Sequence, residues 1–210
     1  MIMCMYKIIA VTNRHLCEGD YFKQIERIAS SNVEHIILRE KDMPEKEYKE
    51  LAEIVLSICS QYRKSCILHT YVNVAKELKA ENIHLPLPEL RCQQGQLESF
   101  KIIGTSIHSL EEAWEAEQLG ASYITAGHIY QTDCKKDLPS RGLDFLKSVC
   151  REVSIPVYAI GGITLDKMPE IIAQGATGGC IMSGCMKKSF WDFDKKIGGI
   201  IKQIAKIKKL

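Results

Sequence analysis

The strongest constraint in this sequence is a regular alternation. Short, apolar, β-rich runs are separated by stretches whose apolar residues recur at helical spacing. The runs are KIIAVT from Lys7, HIILR from His35, CILH from Cys66, NIHL from Asn82, KIIGTS from Lys101, SYITA from Ser122, PVYAI from Pro156 and GGCIM from Gly178. Each is too short for a helix and too apolar for a strand with one wet face, as strands of a parallel sheet covered on both sides are. Eight such units close into a barrel, so the sequence predicts an α/β fold, a single (β/α)8 TIM barrel forming one domain over 1–210. The length of 210 residues suits a minimal barrel of this kind. The alternative is an open doubly wound sheet. Against it, no GxGxxG follows the first strand and no long linker divides the chain.

The intervening segments carry helix signals. DYFKQIERIASS places Phe22, Ile25, Ile28 and Ala29 on one face. The segment from Pro44 to Tyr62 starts with proline in the first turn and early acids, both suited to a helix start. Ser109 reads as an N-cap with Glu112 three residues on and Gly120 as the stop, and Thr164 reads as another N-cap. PLPELRCQQGQLESF, from Pro86, is only weakly periodic and is expected to form a loop or a degraded helix.

Composition excludes several function classes. A net charge of +2 gives no broad basic field for a nucleic acid. No apolar run approaches the ~20 residues of a membrane span. The basic C-terminal IIKQIAKIKKL reads as an amphipathic last helix with a solvated lysine face, with a membrane-surface helix as the alternative. The apolar N-terminus has no basic leader and reads as a buried first strand rather than a signal peptide. Nine cysteines, an odd number with no CxxC pair, fit reduced thiols in the cytoplasm. A homo-oligomer is open, with the first apolar strand as the contact it would use.

In such a barrel the chemistry sits at the C-terminal strand ends. AIGGIT and IMSGCM follow the seventh and eighth strands. The glycines let backbone N–H groups approach a ligand, and a phosphate held by Gly161, Gly162, Met182 and Ser183 is the expected occupant. The competing reading is that these glycines only make tight turns. The long segment after the sixth strand holds His128, Thr132, Lys135, Lys136 and Arg141. There His128 stands where a group that both takes and gives a proton would stand, or it is a packed histidine beside a solvated charge run. Arg39 and Lys41, flanking Glu40, read as anion binders or as a surface ion cluster. His69, His84 and His108 lie on three units without ligand spacing, so no metal site is expected. Cys134 is a weak nucleophile candidate in the same segment as His128.

Together ILREK, HLPLPEL, IGTSIHSLEEAWEAEQLGASYITAGHIYQTDCKKDLPSRGL, AIGGIT and IMSG resemble the thiamine phosphate synthase/TenI superfamily. The likeness runs from the first strand to the start of the last helix. GHIYQTDCKK followed by RGL looks more like the TenI branch. The resemblance implies a (β/α)8 barrel and a small phosphorylated thiazole as ligand. It also implies phosphate binding by the two glycine turns, help from Lys135, Arg39 near a substrate carboxylate with Lys41 in support, and Ser106 near the ring.

The departures from the synthase pattern set the expected reaction. Synthases resemble QLREK, an Asn-Asp pair and HLGQ-x-D after the second, third and fourth strands, acids that hold magnesium and a pyrophosphate. Here these positions are Ile37, His69-Thr70 and His84–Glu89. The synthases' GPVF proline is His128. The swap implies a thiazole tautomerase, an isomerase with His128 as general acid/base and with neither metal nor redox cofactor. Two alternatives stand beside it. One is a thiamine phosphate synthase, which would need Mg2+. The other is a non-catalytic ligand sensor.

Overall fold

A computed structural model describes residues 7–132 and 138–187. Its eight strands form a closed parallel barrel in sequence order. They are β1 (Lys7–Val11), β2 (His35–Arg39), β3 (Ser65–His69), β4 (Asn82–Pro86), β5 (Ile102–Ile107), β6 (Tyr123–Gly127), β7 (Val157–Ile160) and β8 (Gly178–Ile181). The helices between and after them are α1 (Tyr21–Ala29), α2 (Glu45–Gln61), α3 (Val72–Glu77), α4 (Leu87–Cys92), α5 (Leu110–Gln118), α6 (Gly142–Glu152), α7 (Met168–Ala173) and α8 (Ser183–Met186). The TIM barrel read from the alternation is therefore the fold. No described helix is long and apolar enough to cross a membrane.

Local signals act where the sequence places them. The Ser109 hydroxyl accepts from the Glu112 N–H while the Glu112 carboxylate reaches back to the His108 N–H, a reciprocal cap at the start of α5. Gly120, at φ +81°, ends that helix. Pro44 is the N-cap of α2 rather than a residue of its first turn. Thr164 caps a 3-10 turn, Leu165–Lys167, without a side-chain bond, and α7 begins only after it. The weak segment after β4 does form a helix, but α4 is six residues long. The C-terminal amphipathic segment lies outside the described residues.

The core has two layers. Most buried residues fill the space between barrel and helices. A smaller cluster of Ile9, Val11, Ile37, Ile67, Tyr123, Tyr158 and Cys180 fills the barrel itself. Side chains alternate along a strand, so these residues mark the inward row of each strand they occupy. Continuing the inward rows to the C-terminal strand ends brings Arg39, His69, Ser106 and Gly127 to the rim. Gly104 lies on the same row, where a Cβ would stand 2.2 Å from the Tyr123 ring. Its lack of a side chain admits that ring to the barrel floor.

Candidate active site

The β1–β2 corner is organised by one carboxylate. Glu40 is 2% exposed. It accepts from the Thr12 hydroxyl (2.8 Å), the Arg14 N–H (3.0 Å), the Arg14 guanidinium (3.3 Å) and the Tyr21 hydroxyl (3.0 Å). The Thr12 oxygen in turn accepts from the Arg39 N–H at 3.0 Å. Burial, then the charge of Glu40, pushes the Tyr21 phenol well above its usual range. Arg14 also grips Asp42, and the Arg14 guanidinium is the largest cause of that carboxyl's depressed pKa. The segment after β1 is thereby locked over the end of β2, where Arg39 and Lys41 emerge.

The β3–β6 side is buried and neutral. The His69 and His84 rings stack at 5.7 Å between centroids and 18° between planes. Burial drives the His69 pKa down to about 3, with Arg39 and Lys41 adding like-charge repulsion. Burial also pushes the His84 pKa well below the usual histidine value, with the neighbouring charges of His69, Arg39 and Lys41 adding to it. Arg39 and His69 are register partners on adjacent strands, which explains their proximity. His84 contacts the Tyr123 hydroxyl through Nδ1 (2.9 Å) and Ser106 Oγ through Nε2 (2.8 Å), and Thr125 bonds Ser106 at 3.0 Å. His69 Nδ1 and Thr70 Oγ1 are buried without a partner among the described residues. His108 does not join this cluster. Its Nδ1 bonds the Gly127 carbonyl at 2.8 Å.

The β6–β8 side is built from backbone. Gly161 and Gly162 sit at φ +93° and +66°. A Cβ on Gly161 would stand 2.2 Å from the His128 Cβ, and one on Gly162 would stand 2.7 Å from the Gln131 carbonyl oxygen. The glycines therefore seat the segment after β6 as well as turning the chain. That segment is laced down by Ile129 N–H to Ile160 O (2.9 Å) and Tyr130 N–H to Gly161 O (3.0 Å), while Arg141 N–H returns to His128 O (2.9 Å). Lys167 donates to the Gly162 carbonyl at 2.9 Å and lies 4.0 Å over the Tyr130 ring, whose hydroxyl donates to Glu170. His128 is 5% exposed, with Nε2 3.3 Å from the Leu138 carbonyl. Met182 and Ser183 open α8 beyond β8.

The structure thus places Arg39 and Ser106 on the inward rows and packs His128 against Gly161. Lys41 is exposed one step past the rim. Lys135 and Cys134 lie outside the described residues. Reading only the residues after each strand weighed His84 as a metal ligand alone and missed Tyr123 and Thr125, all three lying below the rim, as well as Glu40 as a hub and Lys167 as a clamp. The period of two along each strand is the signal that picks out the first three.

The sequence matches the family model described as thiamine monophosphate synthase over residues 8–185. The chain belongs to that family. A thiamine-phosphate synthase of Clostridium acetobutylicum is 35% identical over 185 residues, spanning 86% of this chain and 87% of the relative. One from Fusobacterium nucleatum is 31% identical over 199 residues, spanning 93% and 96%. Among solved structures, thiamine phosphate pyrophosphorylase from Pyrococcus furiosus superposes with a TM-score of 0.82 at 27% identity, over 96% of this chain and 98% of that one.

These findings overturn the thiazole tautomerase, and with it the isomerase class. Over most of the chain the relatives are named thiamine-phosphate synthase or thiamine phosphate pyrophosphorylase, and none of these is named an isomerase. The isomerase expectation rested on the departures at Ile37, His69-Thr70 and His84–Glu89 together with the exchange of proline for His128. A histidine can carry a proton, but that does not say which bond the enzyme makes or breaks. Here its Nε2 also lies against the Leu138 carbonyl.

Magnesium, which the resemblance assigns to the synthases, does not fit the described residues. A hard cation takes oxygen ligands, usually with a carboxylate or two beside substrate phosphates. At the β3 end stand a neutral histidine and a threonine. Glu40 is consumed by its own donors, Asp42 by Arg14 and His15, and Glu89 accepts from Gln93 within one turn of α4. Among the described residues no group of three or more His, Cys, Asp or Glu is placed to hold a metal ion.

Proposed function

We propose that the chain works as a thiamine-phosphate synthase. This transferase joins hydroxymethylpyrimidine pyrophosphate to a thiazole phosphate. The carbon–oxygen bond to pyrophosphate breaks, a bond from that carbon to the thiazole ring nitrogen forms, and pyrophosphate leaves with the electron pair. The observation that carries this reading is the whole-length likeness to named synthases, at 31–36% identity over more than four-fifths of both chains.

The site supports it in three ways. Gly161, Gly162, Met182 and Ser183 offer the thiazole phosphate backbone N–H groups at the barrel position where phosphates bind in this fold. The uncharged floor of His84, Ser106, Thr125 and Tyr123 suits a neutral heteroaromatic ring with hydrogen-bonding edges. Arg39 and Lys41 bring positive charge to the β2–β3 rim for the pyrophosphate. The ring nitrogen that attacks carries no proton, so bond formation requires no base. His128, standing on Gly161, is assigned to holding the phosphate turn. The cysteines among the described residues are all unpaired, which supports a reducing compartment such as the cytoplasm.

The test is pyrophosphate release with both substrates, each alone, with added magnesium and with chelator. Release that needs both substrates supports the synthase. No release above buffer under any of these conditions contradicts it.

A further inference from the structure

Four polar side chains join across the barrel floor, and their hydrogens can be counted. Tyr123, His84 and Thr125 are 4%, 3% and 1% exposed, whereas Ser106 is half-buried at the rim. Three contacts link them: Tyr123 to His84, His84 to Ser106, and Thr125 to Ser106. Each contact uses one hydrogen. Burial keeps His84 neutral at ordinary pH, so it carries a single N–H, and each hydroxyl carries one O–H. The group therefore holds one hydrogen more than its internal contacts use.

The surplus has one exit. The hydrogens of Tyr123 and Thr125 have no other acceptor among the described residues, and an unbonded donor in the interior is disfavoured. The Tyr123 hydroxyl therefore donates to His84 Nδ1. This leaves the imidazole proton on Nε2, which donates to Ser106 Oγ. The Thr125 hydroxyl donates to the same oxygen. Both lone pairs of Ser106 Oγ are filled from below, and its own hydrogen is left to point into the mouth.

We infer that Ser106 is wired as an obligate donor that reads an unprotonated ring nitrogen of the heteroaromatic substrate, with His84, Tyr123 and Thr125 as the positioning residues that set its polarity. The ligand's identity as the pyrimidine substrate rests on the synthase reading. The wiring rests on the floor itself. A site polarised in this way rejects a ring with C–H in place of the nitrogen, because the Ser106 hydrogen then has no acceptor.

Two measurements test the inference. The first is the tautomer of His84 in the free protein, by nitrogen-15 NMR of the imidazole, assigned by loss of its signals in His84→Asn. A proton on Nε2 and a bare Nδ1 are expected, and a proton on Nδ1 overturns the wiring whatever the enzyme's reaction is. The second is calorimetric affinity for hydroxymethylpyrimidine pyrophosphate and for analogues with each ring nitrogen replaced in turn by C–H. Wild type is expected to disfavour one analogue on the order of tenfold. Tyr123→Phe keeps the ring beside Gly104 but frees the imidazole to take the other tautomer and accept from Ser106, so the preference shrinks to roughly threefold or less. Equal wild-type affinity for every analogue would place Ser106 against a phosphoryl oxygen and overturn the ring assignment. No binding of the parent pyrophosphate would defeat the synthase reading, and with it the ligand assignment, while the tautomer would still decide the wiring.

Discussion

The two sides of the barrel mouth are made of different material. From β1 to β6 the site is side chains: a buried carboxylate holding four donors, a stacked neutral histidine pair and a wired serine. From β6 to β8 it is backbone: two glycines at positive φ, carbonyls accepting from the segment after β6, and a lysine clamped on the Gly162 carbonyl. The first side should therefore fail when atoms are removed, and the second when atoms are added. The contrast also bears on the family. The departures from the synthase pattern at Ile37, His69, Thr70 and Pro86 fall on the side-chain half, whereas the backbone half keeps its glycine turns and departs at His128.

The largest expected effect is deletion on the first side. Glu40→Ala leaves the Thr12 and Tyr21 hydroxyls and the Arg14 N–H without their acceptor, and a loss of about 4 kcal/mol in urea unfolding is expected. A loss below about 1 kcal/mol would mean that the corner is not held by this carboxylate.

Addition on the second side comes next. In Gly161→Ala the new methyl collides with the His128 Cβ at a backbone angle suited to glycine. A loss of roughly 3 kcal/mol is expected, with phosphate-ligand affinity falling about a hundred-fold as the turn shifts. Unchanged affinity would remove the turn from the site.

Acid should separate the two sides without any mutation. The His69 pKa is held at about 3, below the ordinary 6.5, so between those values the unfolded chain binds the proton and the folded one does not. Stability therefore falls as pH drops through this window, by about 2 kcal/mol between pH 7.5 and 5 from His69 alone. Amide exchange should accelerate first in β3 and β4, and His69→Gln should flatten the dependence. A pH-independent midpoint would show that His69 titrates normally. The smallest effect belongs to Lys167→Met, which gives up the bond to the Gly162 carbonyl and the contact with Tyr130. It should cost about 1 kcal/mol and weaken phosphate binding several-fold. Loss of activity with phosphate affinity intact would assign the lysine to another step.

The fold was legible because a period is a redundant signal. Eight strand–helix repeats survive a weak α4 and a helix start read one residue early at Pro44. The glycine turns were legible because AIGGIT needs no partner to announce its backbone. The floor was not, because His84, Tyr123 and Thr125 acquire meaning only across strands whose register the sequence does not print. His128 misled in the opposite way. A reactive side chain at a strand end suggested a proton transfer, yet it packs against Gly161 with Nε2 on a carbonyl.

The most direct test of the central claim follows the bond itself. Purified protein is given hydroxymethylpyrimidine pyrophosphate and carbon-13-labelled thiazole phosphate, and the products are resolved by mass spectrometry. A labelled product containing both rings is expected, formed in step with pyrophosphate and lost in Gly161→Ala. Labelled thiazole phosphate recovered unchanged, with no two-ring product at any enzyme concentration, would contradict it.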